Sequence, residues 1–216
     1  MSLMYIPEPF ALDATDTAHF LMTVVAGDLV TATDDGLVAT FLPLLLDRDR
    51  SPNGSLLGHL ARNNTQWKRP TRGEALVIAH GPDAYISPSW YPSTAEHGRV
   101  VPTWDYAAAH VYGNLVIHDD QAWVDQLVRR LTDRHESGRA HPWSVDDAPA
   151  EYIAGQLRAI VGVELEISRV EVQVKMSQNR PAADIDGVVT GLTNDNLPGV
   201  AALVERSRPD TAGQEP

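Results

Sequence analysis

YISPSWYPSTAEHGRVVPTWDYAAAHVY, from Tyr85 to Tyr112, holds Trp90, Trp104 and four tyrosines, in a chain that has only five Trp, six Tyr and three Phe in all. Pro88, Pro92 and Pro102 lie between the rings, with His97 and His110. Glu96 and Asp105 are the stretch's only acids, although the chain's net charge is −12. Proline fixes φ and an aromatic ring loses few rotamers on ordering, so alternating the two builds rigid, flat walls. Two readings stay open. The walls receive a planar, partly apolar ligand, or the rings fill a core beside a sheet edge.

On either side of this stretch the pattern is mainly β. Leu29–Thr33 and Leu37–Leu42 read as a hairpin across Asp34-Asp35-Gly36. Ala75–His80 and Ala84–Ser87 read as a second hairpin, turning at Gly81-Pro82-Asp83. Val100–His118 reads as a long strand interrupted at Gly113-Asn114. Val163–Met176 alternates, with a change of phase near Ser168-Arg169 that suggests a bulge. Helical spacing appears from Asp13 to Met22, from Asp119 to His135 (Trp123, Leu127 and Leu131 on one face), and across Ile153, Leu157, Ile160 and Val161 to a stop at Gly162. One or two helices are expected over Pro181–Arg206. About six strands with flanking helices predict an antiparallel barrel with helices outside it. The expected division is a barrel domain over residues 1–180 with two inserted helices, a helical extension over 181–206 and a disordered tail over 207–216.

Composition removes several function classes. Hydrophobic residues make up 43% and charged residues 21%, as in ordinary globular chains. With no cysteine, the chain has no disulfide, thiolate nucleophile, iron–sulfur cluster or Cys-type zinc site. The net charge repels phosphate backbones, and the two basic clusters (Lys68-Arg69 with Arg72, Arg129-Arg130 with Arg134) are small. No signal peptide is legible and no apolar run approaches a bilayer's thickness, so the expected location is the cytoplasm, without membrane contact. Eight histidines form no HxxxH or HxH pair, and neither a GxGxxG nor a Walker loop occurs.

Two clusters offer cations or donors. Leu56-Leu57-Gly58-His59-Leu60-Ala61-Arg62-Asn63-Asn64 reads as a helix start, where His59 and Arg62, three apart, face one anion at the helix N-terminus. The bland alternative is a surface Arg62 and a buried His59. Lys175-Met176-Ser177-Gln178-Asn179-Arg180 crowds donors at a strand end, either toward a polar ring edge or phosphate or simply into a solvated turn.

Taken in order, MYIPEPF, ATFLPLLLD, LLGHLARNN-x-QW, HGPDAYISPSWYPS, EHGRVVPTWDY, LTDRHE, PWSVDDAP, LRAIVG and KMSQNR resemble the PaiB family of FMN-binding negative transcriptional regulators, over Met4 to Arg206. Thr65 stands where that pattern has proline, and Asp105 where it has asparagine. The resemblance implies an FMN-binding split β-barrel of the pyridoxamine-phosphate-oxidase-like type, a homodimer with flavin at the subunit interface. It puts the FMN phosphate beside His59 and Arg62 and the isoalloxazine against the backbone of Thr40–Leu42. Ser87, Trp90 and the Lys175–Gln178 group become wall and rim, supplied by the second subunit. The implied role is a flavin-dependent redox or sensing protein. Alternatives are a haem-binding split barrel, with His59 or His110 as axial ligand, and direct DNA repression, which the net charge opposes.

Overall fold

The computed structural model describes residues 4–209. The chain order is α1 (Ala14–Thr23), β1 (Ala26–Thr33), β2 (Gly36–Pro43), β3 (Leu45–Asp47), β4 (Ser55–Ala61), β5 (Ala75–Ile86), α2 (Ser93–His97), β6 (Thr103–His118), α3 (Gln121–Glu136), α4 (Ala150–Arg158), β7 (Ile160–Lys175), α5 (Ala182–Asn194) and α6 (Pro198–Arg206). Seven strands form one antiparallel, curled sheet in the order β2-β1-β5-β6-β7-β4-β3. Two compact units divide the chain. One takes the described residues of Met1–Thr17, His80–Ala108 and Val172–Pro216, the other Ala18–Ala79 and Ala109–Glu171.

In the second unit the first hairpin forms as its turn residues dictate. Thr33 pairs with Gly36, Ala26 with Pro43, and Gly36 takes a φ of 110°, open to glycine at little steric cost. The LLGHLA segment is not a helix. It forms β4, antiparallel to β7 from Ser55↔Glu166 to Ala61↔Ile160. Leu56, Leu57 and Leu60 are all buried there. A strand covered on both faces reads as a continuous apolar run, which periodicity alone does not separate from a buried helix. Gly58 permits the curl: a Cβ at that position would lie 2.6 Å from Leu42 Cδ1 and 3.0 Å from the Pro43 carbonyl oxygen.

The short β3, absent from the sequence reading, pairs with β4 through Leu45↔Leu57. Leu45 and Leu57 then pack against Leu127 and Leu131 of α3, with Trp123 beside them. The expected stripe of Trp123, Leu127 and Leu131 is therefore the face that α3 buries. Helix α4 ends at Arg158, and Ile160 to Gly162 open β7 instead of continuing the helix. Arg62 fixes that boundary. Its backbone N–H donates to Ala159 O (2.8 Å), its Nε to Arg158 O (2.7 Å) and its Nη2 to Ile160 O (3.0 Å).

Elsewhere, β6 runs unbroken through Gly113-Asn114, and β5 runs unbroken through Gly81-Pro82-Asp83. Gly81 is not among the positive-φ residues a tight turn there would call for, and Asp83 accepts a hydrogen bond from Trp104 Nε1 (2.8 Å) within the first unit. In that unit α5 and α6 form, and Arg208 anchors the segment after α6 by donating to Asp186 (2.6 Å) and pairing with Glu205 (2.8 Å). The rest of the expected tail, residues 210–216, lies outside the described residues. Among the described residues no helix is long and apolar enough to cross a membrane.

Gly162 is a second close approach. A Cβ there would lie 2.2 Å from Trp123 Cζ3, and Trp123 is stacked on His118 with centroids 4.0 Å apart and planes 8° from parallel. The stacked His118 limits how far the ring can move away. Gly162→Ala is expected to lower unfolding stability by about 1–3 kcal/mol through overpacking, read as a shift in the urea midpoint, whereas Gly138→Ala, with open space around it, should leave the midpoint nearly unchanged.

Candidate functional site

The loop that follows β4 carries the second unit's most concentrated polar chemistry. Gln66 is buried. Its Oε1 accepts from Thr40 Oγ1 (2.6 Å), and its Nε2 donates to Leu29 O (3.0 Å) and Thr31 Oγ1 (3.1 Å). Asn64 Nδ2 donates to the same Thr40 hydroxyl (2.9 Å), and Asn64 Oδ1 accepts from Gln66 N–H (2.8 Å). This network ties the loop to β1 and β2 and sets the next residue, Trp67, beside two cations. The Arg62 guanidinium lies 5.9 Å from the Trp67 ring centroid and the Lys68 ammonium 5.0 Å from it. Trp67 Nε1 donates to Arg62 O (3.1 Å), which closes the cluster.

The two cations differ in what remains free. Arg62 Nη2 also donates to Asp119 (2.6 Å), but among the described residues Nη1 has no hydrogen bond. Lys68 makes no ion pair among the described residues. Planar guanidinium and point-like ammonium donors both bind phosphate monoesters. In donor chemistry the corner suits a phosphate, although Asp119 already occupies one nitrogen of Arg62. Sequence reading passed over Lys68 as part of an ordinary patch; the available signal was its place beside Trp67, as one of only two lysines in the chain.

His59 does not join them. Residues three apart on a strand point to opposite faces, so the shared anion expected of a helix start does not follow from β4. The His59 ring lines a cavity against α3, while Arg62 lines another with Asp119, Gln121 and Arg158. Burial lowers the His59 pKa, which keeps the ring neutral and removes its attraction for an anion. Thr40 and Leu42 lie on the inner face of β2, Leu42 buried against Gly58, while Leu37, Ala39, Phe41 and Pro43 on the opposite face are exposed.

The other four expected residues belong to the first unit, and each has an internal partner. Ser87 Oγ bonds Ser89 Oγ (2.7 Å) and accepts from Ser89 N–H. The Trp90 ring lies on Gly191 and its carbonyl on Gly187, leaving no room for a side chain at either glycine. Lys175 Nζ donates to Thr103 Oγ1 (2.6 Å) and Trp104 O and pairs with Asp105 (3.4 Å). Gln178 caps the end of β7 through Met176 N–H and Val174 O, both at 2.6 Å. Tyr85 and Trp104 meet edge to face at 6.3 Å and stay half exposed, while Tyr91 is buried. Within the aromatic stretch Tyr91 therefore fills core, while Tyr85 and Trp104 stay at the surface. His110 packs edge to face on Tyr112 in the second unit.

A buried carboxylate of the second unit, Glu164, gathers two partners. Arg50 Nε donates to both oxygens of Glu164 (3.0 and 3.1 Å), and His118 Nε2 lies 2.8 Å from Oε2. Burial works to raise the Glu164 pKa, but these partners hold it below the usual carboxylate range. Among the described residues no group of three His, Asp or Glu side chains could hold a metal ion.

Residues 4–169 match the family described as "Putative FMN-binding domain". The protein of Bacillus subtilis (strain 168) called "Protease synthase and sporulation protein PAI 2" is 31% identical over 204 residues, covering 94% of this chain and 95% of that one. The chain belongs to the PaiB family of FMN-binding proteins. Its cofactor is FMN. Among solved structures, the conserved hypothetical protein Rv2991 from Mycobacterium tuberculosis superposes with a TM-score of 0.54 at 11% identity, covering 82% of this chain and 94% of that one. The FAD and heme binding protein from Mycobacterium smegmatis does so at 0.50 and 17%, covering 78% and 74%. This PaiB-family chain has a split-barrel fold, mainly β with flanking helices.

Asp105, where the family pattern has asparagine, points inward. It is fully buried, and its Oδ2 accepts from Ser177 Oγ (2.6 Å), a residue in the left-handed region at φ 58°. Burial raises the Asp105 pKa, outweighing Ser177 and Lys175. The native state then holds this proton more tightly than the unfolded chain. Stability from this group falls as pH rises from the ordinary aspartate range through the raised native value. The stability of Asp105→Asn relative to wild type should accordingly rise with pH across that window and level off above it, measured by urea unfolding at a series of pH values. A difference that stays flat would show that the carboxylate is not destabilised by burial.

Proposed function

We propose that this chain is a flavin-dependent redox or sensing protein that works as a homodimer, with the FMN phosphate held by Arg62 and Lys68. The observation that carries the reading is the corner around Trp67, where two cations with unused donors stand on one indole ring. The backbone of Thr40–Leu42 on β2, at the end of the sheet order, would face the ring system. Ser87, Trp90, Lys175 and Gln178 would form wall and rim from the second subunit; their internal bonds already hold them in fixed positions. Support for a homodimer comes from β2, which leaves Leu37 78% and Phe41 68% exposed on its outer face, an apolar strip suited to a partner. His59 lines a different cavity from Arg62 and would take no part in holding the phosphate.

Bound FMN supplies one- and two-electron transfer, and the protein supplies orientation and electrostatics. The chain's own donors would select the phosphate end and neutralise its charge. Direct action on DNA is disfavoured. A dimer would carry twice −12 in net charge, and that field opposes a phosphate backbone. Any effect on transcription would act through a metabolite or a partner protein.

The test compares FMN with riboflavin by flavin fluorescence titration. Wild type should prefer FMN, and Lys68→Ala should weaken FMN by about 10-fold or more, the scale of a charge-assisted hydrogen bond, while leaving riboflavin affinity unchanged. Arg62→Lys should keep part of the preference, because it retains the charge and loses the planar fork. Equal FMN affinity in wild type and Lys68→Ala would sink the phosphate assignment.

A further inference from the structure

Between β4 and α3, within the second unit, lies a cavity of about 330 Å³. Pro43, Val128 and Leu131 give it apolar walls, and Trp143 and Glu136 stand at its lining. Glu136 is already engaged, by Trp143 N–H (3.0 Å) and Arg139 (3.1 Å). Thr132, His135 and His59 are its other polar residues, and of the three only His59 has a buried atom without a partner. Its Nδ1 is buried without a partner, and among the described residues no hydrogen bond reaches either ring nitrogen. Such a group is costly to leave unsatisfied in a buried place. The larger cavity, about 690 Å³ beside Trp90 and α5, offers no comparable unsatisfied group.

The tautomer follows from the same accounting. A buried N–H without an acceptor is rarer and more costly than a buried lone pair without a donor. The proton therefore belongs on Nε2, which makes His59 a neutral hydrogen-bond donor beside the apolar Pro43, Val128 and Leu131, in a lining shared with Thr132 and His135. The ring is neutral, as its burial requires, so it offers no charge to an anion. Trp143, 46% exposed, supplies a flat face that suits an aromatic ring.

We propose that this cavity is a binding site, separate from the flavin phosphate corner, for a neutral aromatic molecule bearing one hydrogen-bond acceptor such as an aryl ketone or a quinone. The apolar walls and Trp143 take the ring, and His59 takes the carbonyl. The volume admits a ligand at the small end of the usual range for such pockets. The site does not depend on the FMN assignment.

The experiment uses the full chain and three probes: acetophenone; α-methylstyrene, which has the same shape with C=CH₂ in place of C=O; and benzoate. Binding is followed by the chemical shifts of the His59 ring and the Trp143 indole. Acetophenone should bind saturably, at least tenfold tighter than either other probe, because a site built around a donor rejects an analogue lacking the acceptor. His59→Leu should abolish that preference while still admitting both neutral rings. Val128→Trp, which fills the cavity from a half-buried helix position, should exclude all three, with an unchanged circular dichroism spectrum showing that it folds. Equal binding of acetophenone and α-methylstyrene to wild type would overturn the role of His59. Acetophenone binding that survives Val128→Trp would place the ligand elsewhere and overturn the site. Absence of saturable binding to wild type at concentrations up to about 10 mM, weaker than a ligand of this size reaches in a formed pocket, would do the same.

Discussion

Arg62 joins the end of β4 to the point where α4 gives way to β7. One residue satisfies the carbonyls of Arg158 and Ala159, groups that the end of a helix leaves without intrahelical donors, and that of Ile160 at the start of β7. Because β4 and β7 are paired from Ser55↔Glu166 to Ala61↔Ile160, this clamp also sets where their ladder ends. The polar loop that follows, Asn64 to Lys68, starts from that fixed point. With three of its donor contacts made to backbone, Arg62 has its remaining fork nitrogen held in a defined direction. A cation positioned in this way is better placed to receive a phosphate than one on a flexible stem.

The same economy appears in the loop itself. Thr40, Asn64 and Gln66 use nearly all their hydrogen-bonding capacity on one another and on β1 and β2. These bonds bring Trp67 and Lys68 to the rim of the sheet without needing a long ordered segment. The arrangement illustrates a division of labour: uncharged polar residues fix the geometry, and the charged ones beside them keep unused donors. In the first unit the balance is reversed, since Lys175, Gln178 and Ser87 are all engaged internally.

Two buried carboxylates show how partners decide the fate of a charge. Glu164 has Arg50 and His118, and their bonds outweigh its desolvation. Asp105 has a hydroxyl and one ammonium at 3.4 Å, which do not. Asparagine at position 105, as in the family pattern, would keep the hydrogen bond to Ser177 without the charge. The departure at Asp105 is therefore a matter of the first unit's interior electrostatics, because the side chain is sealed from solvent.

By itself the sequence determined the mainly β character, the first hairpin, the buried face of α3 and the family. Each of these rests on a local signal: the Asp34-Asp35-Gly36 turn, the spacing of Trp123, Leu127 and Leu131, and long unusual segments such as HGPDAYISPSWYPS. Only the tertiary structure decided that Leu56–Ala61 is a strand, because an apolar run covered on both faces has no period to betray it. Tertiary contacts also ended α4 at Arg158, through donors that come from Arg62, and they kept β5 extended across a Gly-Pro-Asp sequence that locally favours a turn. The separation of His59 from Arg62, and the pairing of Arg62 with Lys68 across Trp67, arise in the same way. Alternation along a strand and the path of a loop place those side chains, and neither is written in the spacing of the residues.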